Sequence, residues 1–334
     1  MKIAGTVLSG ALLGAAVAFA PLAASAMDMK IGFVTINDSQ HEAAKWFAKE
    51  VTKRTHGQIT PRVFPAAQLG KIPREIEGIQ LGTQEAFISP PGFFIGLNKA
   101  FQAADAPAMF QDMEHQMRTL NDPTVRDKFL NLASHKGVKG LFIYSAGGGA
   151  FATRDPVKKL ADLKGMKIRV LASPMERAMM DAIGVAGTPM AYSEVLPAIQ
   201  RRVVDGARSA IVVMGPSKFY TAAPNIVLTN GSFIPSGMWI SELWFKKLSA
   251  DQQKILEQVG HETTKVAQDS ALHIEAVWIK KWTTEGGTVR HFSKADQAKL
   301  MSIYKPLGDK LLGTDPAIAP MYDLIKAAAK KTAM

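Results

Sequence analysis

Hydrophobic and polar positions along the chain change their period several times, and each change marks an element. Residues 30–34 (KIGFV) form a short apolar run of the kind buried in a sheet. Ser39 and Glu42 then stand at capping-box spacing. Trp46, Phe47 and Val51 follow on one side of a helix that Gly57 closes. Residues 59–64 alternate as a second strand, a second helix ends near Gly82, and residues 85–89 predict a third strand. Two more helices run to His135, Gly137 stops them, and residues 138–144 read as a fully buried strand. Residues 162–165 predict a turn and 167–170 a short strand. Ser173-Pro174-Met175-Glu176 has the form of a second capping box, with proline at the first helical position, and its helix ends at Gly184. Strands alternating with helices argue for α/β architecture. From Asp251 to Thr284 there is no proline and Gly260 is the only glycine. Ile255, Leu256, Val259, Val266, Leu272, Val277 and Ile279 recur there at helical spacing. That pattern predicts one very long helix or two broken near Gly260.

At 334 residues the chain is longer than one compact core holds, so two lobes are expected, the second starting near Gly147. The first 26 residues read differently. Met1-Lys2 is a short positive start, residues 3–20 are uncharged and apolar, and Ala24-Ser25-Ala26 is a small-x-small cleavage pattern. That order predicts a cleaved export signal over 1–26 rather than a retained anchor. There is no cysteine, which excludes disulfides, thiolate metal sites, a cysteine nucleophile and a lipid-modified N-terminal cysteine. The expectation is a protein free in the periplasm, without a lipid anchor. Its formal charge of +11 would suit nucleic acid, but no basic run exceeds two residues. The charges therefore read as dispersed solvated faces whose field favours small anions.

Signatures of catalysis are missing. His41-Glu42 and His261-Glu262 begin like zinc-binding helices, yet Lys45 and Lys265 stand where the second histidine belongs, so no metal is expected. Gly147-Gly148-Gly149 lacks phosphate-loop spacing and reads as a flexible crossing between lobes. No G-x-S-x-G elbow occurs. Neither an enzyme nor a cofactor is expected. Arg169 is the exception to this silence, because it sits inside the apolar strand 167–170. An inward arginine must find an anion. A ligand carboxylate fits its fork with two parallel bonds, and an internal acid would serve as well.

Five segments, taken in order, resemble the DctP-type solute-binding family of TRAP transporters. They are Ala67-Gln68-Leu69-Gly70 with Gln80-Leu81-Gly82-Thr83, residues 162–169 (DLKGMKIR), residues 188–195 (TPMAYSEV) and residues 203–207 (VVDGA). The resemblance implies a type II periplasmic-binding-protein fold, in which two α/β lobes joined by crossing strands and a long C-terminal helix close on ligand. Lobe I would comprise residues 27–146 plus 235–274, and lobe II residues 147–234 plus 275–334. It implies that Arg169 clamps a ligand carboxylate and that Tyr192 lays its ring against the ligand. Where the family commonly has Glu-Asn-Pro after Asp-Gly, this chain has Arg208-Ser209-Ala210. Where some acid-binding members carry a second arginine, it has Gly149. One positive contact is thus missing and Arg208 stands as its replacement or as a solvent-facing residue, with Ser209 offering a shorter donor. Ser89, Phe93 and Val34 lie at strand ends that face the cleft in this family, which gives the pocket a large apolar share. The implied partners are a small organic acid and membrane permease subunits, with no nucleic acid, and the chain itself is expected to be a monomer. The competing readings are a same-fold protein serving another transporter or a sensor, a periplasmic enzyme, and a scaffold without a small ligand.

Overall fold

The structure, a computed structural model, describes residues 26–333. The export-signal expectation falls, but for Ala26, outside the described residues. Among the described residues no helix is long and apolar enough to cross a membrane.

The chain opens with parallel strands and their connecting helices: β1 (Met27–Gly32), α1 (Ser39–Arg54), β2 (Ile59–Phe64), α2 (Ile72–Leu81) and β3 (Ala86–Ser89). β1 pairs in parallel with both β2 and β3. The cap of α1 is Asp38, one residue before the expected Ser39. Asp38 accepts from the His41 amide, while the Ser39 hydroxyl is bonded to the Tyr144 hydroxyl at 2.9 Å. Gly82 closes α2 in the left-handed conformation, at φ 74°.

After α3 (Met113–Leu120) and α4 (Arg126–Leu130) comes β4 (Val138–Thr153). Sequence periodicity ends this strand at Tyr144, but it continues for 16 residues and takes in all three glycines, so the crossing is strand and not loop. Small residues lack the apolar bulk that marks a strand. Here pairing with an equally long neighbour, β8 (Asn225–Ser241), carries the strand onward. The second half of the molecule lies between these two: β5 (Lys167–Val170), α5 (Pro174–Ala182), β6 (Ala186–Pro189), α6 (Tyr192–Gln200), β7 (Gly206–Ser209) and α7 (Ile211–Met214). The sheet order is β2-β1-β3-β8-β4-β7-β5-β6. Only β4 and β8 belong to both halves, and their pairing shifts register between Gly140 and Phe142, Ser145 and Gly147, and Gly148 and Ala150. At the last shift residues 229–232 have no partner on β4.

Each half has an apolar centre, and the larger cluster runs on into β5 and α5 of the second half at Ile168, Val170 and Met179. Trp239, Phe94, Phe101 and Phe129 pack their rings together in the first. Ala150, Val195, Ile199, Ile211, Met214 and Trp282 pack around β7 in the second.

The chain ends in α8 (Glu242–Phe245), α9 (Ala250–Thr284), β9 (Thr288–His291), α10 (Lys294–Leu311) and α11 (Ala319–Thr332). α9 is one unbroken helix of 35 residues, about 50 Å long, and it packs on both α1 and α7. Gly260 does not break it. A Cβ there would lie 3.0 Å from both the Cβ and the carbonyl oxygen of Leu141, so glycine lets the helix approach β4. Gly260→Leu should therefore cost about 1–3 kcal/mol of stability, read from the urea midpoint. An unchanged midpoint would show that the helix can lift off the sheet freely.

α11 does not follow the lobe division expected for residues 275–334. It packs on α3, where His115 Nε2 bonds to the Ala329 carbonyl at 2.8 Å and Lys331 pairs with Asp122 at 2.8 Å. The tail thus returns to the first half, because α3 leaves an apolar face there for Tyr322, Ile325 and Ala328.

Candidate functional site

A cavity lies where the two halves meet. From the first half come Val34 and Thr35 beyond β1, Gln40, Ile72, and Ile88, Ser89, Pro90 and Phe93 around the end of β3. From the second come Arg169, Leu171, Tyr192, Ser209, Ala210 and Val213. Ala146, Ile234 and Ser236 of the crossing strands form its floor. Six residues singled out in the sequence are therefore brought together here: Val34, Ser89, Phe93, Arg169, Tyr192 and Ser209.

Arg169 is fixed by β5, whose neighbours on both sides, β6 and β7, are parallel to it. Its Nε and Nη2 both donate to the Met190 carbonyl at 3.3 Å, and its guanidinium carbon stands 5.8 Å from the centre of the Tyr192 ring. The residue is only 2% exposed. Among the described residues no carboxylate oxygen lies within 4 Å of it. Loss of water pulls its pKa down to about 10, so it remains a cation at neutral pH. This is a buried charge whose fork is only partly used, at the outer limit of hydrogen-bond length.

The groups around it are divided. The Tyr192 hydroxyl is committed, donating to the Val213 carbonyl at 3.1 Å and accepting from the Ser217 hydroxyl at 2.7 Å, and its ring stacks on Phe219. Ser89 Oγ and Gln40 Oε1 are buried without a partner. Thr35 Oγ1 and Ser236 Oγ face Asp38 and Tyr144 without closing a hydrogen bond. Buried polar atoms left open are rare in folded proteins, and several in one cavity mark a place that receives a polar guest.

Arg208 and Gly149 do not join this wall, contrary to the expectation that they contact ligand. Side chains alternate along a strand, so Ser209 faces the cavity and Arg208 points the other way. There Arg208, 1% exposed, is held by Glu176 and by the Ser232 hydroxyl. A Cβ at Gly149 would come 2.7 Å from Arg208 Nη2, so the glycine makes room for the guanidinium. Glu176 is free for this because the capping box at the start of α5 does not form: Ser173 caps no amide and points its hydroxyl at Asp105 Oδ2, 3.3 Å away. The His-Glu pairs are similarly occupied. His41 Nδ1 accepts from the Asn37 amide and Glu262 binds Arg54.

Asp105 is partly buried, and loss of water first, then the nearby Glu176 carboxylate, push it up to about 7, against opposing effects of Ser173 and Arg208. The folded protein therefore holds this proton between about pH 4 and pH 7, where the unfolded chain has lost it. Stability falls as pH rises through that window. Asp38 and Glu75, raised to about 6 and about 7 by burial, act in the same direction. Asp105→Asn should reduce the fall in melting temperature between pH 5 and pH 8, by about 2 °C or more. An identical pH profile would contradict the assignment.

Sequence reasoning missed Thr35, Gln40, Ile72, Ser236 and Glu176. Of these, only Glu176 stood in a recognised motif, and the motif suggested the wrong partner.

A model of the family described as bacterial extracellular solute-binding protein, family 7 (DctP), matches residues 32–314. The 2,3-diketo-L-gulonate-binding periplasmic protein of Escherichia coli strain K12 is 32% identical over 247 residues, 73% of this chain and 75% of that protein. Among solved structures, the sugar acid binding protein of Advenella mimigardefordensis in complex with galactonate matches at TM-score 0.87 and 22% identity. The match covers 92% of this chain and 99% of that one. A TRAP periplasmic solute binding protein from Shewanella oneidensis, with bound succinate, matches at TM-score 0.84 and 25% identity, covering 91% and 100%. The two-lobed binding-protein fold expected from the resemblance is the fold observed.

Proposed function

The chain belongs to bacterial extracellular solute-binding protein family 7, the DctP family of TRAP transporter binding proteins, and on that premise we propose that it captures a small organic acid in the periplasm and delivers it to membrane permease subunits. Arg169 is the observation that carries this reading: a buried cation with no direct ion pair among the described residues, Glu176 acting on its charge only at longer range, and lining a cavity between two halves. A ligand carboxylate would complete its fork, Ser209 and Ser89 would donate neutral hydrogen bonds beside it, and Gln40 Oε1 would accept from a ligand hydroxyl. Tyr192 acts through its ring, since its hydroxyl is already engaged.

Capture works by closure. Residues from each half line the cavity, so full contact exists only when the halves are together, and ligand shifts the population toward that state. At the rim Lys71 of α2 reaches Glu194 of α6 at 2.6 Å. Both side chains are exposed, so this link is weak and leaves control of closure with the ligand. Residues 27–146 with 235–274 would move against residues 147–234 with 275–318, α11 riding with the first group. No step of this cycle calls for a catalyst or cofactor.

The test is mass spectrometry of small molecules released when the natively purified protein is denatured, followed by calorimetry with the acid identified. A carboxylic acid at near-stoichiometric amount is expected, and its return should raise the melting temperature by mass action. Absence of any acid, together with no thermal shift across a panel of organic acids, would defeat the reading.

A further inference from the structure

We infer that the ligand is a monocarboxylate with an apolar body, branched aliphatic or aromatic, and neither a dicarboxylate nor a polyhydroxylated sugar acid. The inference rests on acid capture at Arg169 and concerns what the rest of that cavity can accept.

Charge sets the first limit. Among the described residues Arg169 is the one cation in the cavity wall. Arg208, one residue from Ser209, is turned away and neutralised by Glu176. A second carboxylate inside the cavity would lie buried without a cation, which is strongly unfavourable. Lys71 and Arg74 line the outer pocket and not this inner cavity, and Lys71 is held by Glu194.

The distribution of polar atoms sets the second. Those without partners cluster at the inner end, at Gln40, Ser89, Ser236 and Thr35. The hydroxyls of Ser89, Ser236 and Thr35 can donate to the carboxylate or to an adjacent oxo group, and Gln40 Oε1 can accept from a hydroxyl. From there outward the wall is Val34, Ile72 and Phe93, and the same three residues continue into a wider outer pocket with Ile76, Pro189 and Met190. Hydroxyls strung along that track would be dried without hydrogen-bond partners, which disfavours a sugar acid. Hydrocarbon placed there gains by leaving water.

Calorimetry on the purified full-length mature protein with 2-oxo-3-methylbutanoate, phenylpyruvate, succinate and galactonate tests this. At least one of the two apolar monocarboxylates should bind tenfold or more tightly than succinate and galactonate. Ile72→Thr should narrow that preference several-fold. Equal or tighter binding of succinate or galactonate would overturn the inference and leave acid capture standing. Failure of all four acids to bind would overturn the inference alone, since acid capture itself is tested by the released-ligand measurement. An unchanged preference in Ile72→Thr, with the variant folded by circular dichroism, would overturn the apolar track.

Discussion

Arg169→Ala is expected to weaken binding of the ligand acid by a factor of about thirty to several thousand while leaving the protein folded. Removing one member of a buried, hydrogen-bonded charge pair costs about 2–5 kcal/mol, with each 1.4 kcal/mol a factor of ten in affinity. Much of that loss comes from the ligand carboxylate, which would be dried without a counter-charge. The empty protein should respond in the opposite sense. Arg169 has the Met190 carbonyl at 3.3 Å, the face of Tyr192 and the longer-range attraction of Glu176 to offset its burial, and no direct ion pair. Its removal should thus leave the unliganded melting temperature unchanged or raise it. A structural arginine would give the reverse, lower stability with intact affinity, and that outcome in calorimetry and thermal unfolding would sink the assignment. Arg169→Lys keeps the charge but loses the planar fork, so its affinity should fall between the two.

Glu176→Ala should destabilise the protein more than any change at the cavity wall, by about 3–5 kcal/mol. It strands Arg208, 1% exposed, with only the Ser232 hydroxyl for company. A fall in melting temperature of roughly 10 °C follows from that energy in a chain of this size. The double change Glu176→Leu with Arg208→Met removes both charges and should recover most of the loss, because a buried ion pair breaks far more expensively than it is replaced. Additive losses in the double variant would mean that the two residues are not a pair. The pair also bears on the ligand site. Since Arg208 faces away from the cavity, affinity per folded molecule should change far less in Arg208→Met than in Arg169→Ala.

These two arginines show how much the sequence disclosed. Arg169 was legible because a charge inside a four-residue apolar strand demands an anion whatever the fold, and the surrounding motifs resembled those of a binding family. Arg208 was misplaced because its neighbours in sequence say nothing of the partner on α5. That partner, Glu176, was disguised as a capping residue. Element positions were well predicted where apolar period and a glycine stop agreed, as in α2 with Gly82. They failed where a strand is held by its neighbour alone, as in the outer half of β4. Gln40 and Ser236 were invisible for a different reason: a buried polar residue announces itself only when its missing partner can be seen.

The β4–β8 ladder changes register at three places, and one of them leaves residues 229–232 without partners on β4. A ladder jointed in this way can flex at its joints with the remaining rungs intact, so widening the gap between the halves need break no regular backbone pairing. Resistance to opening then comes from α9, which packs on both halves, and from the side chains that face one another across the gap. Evolution could retune grip and release by replacing those, one at a time, without touching the frame that carries them.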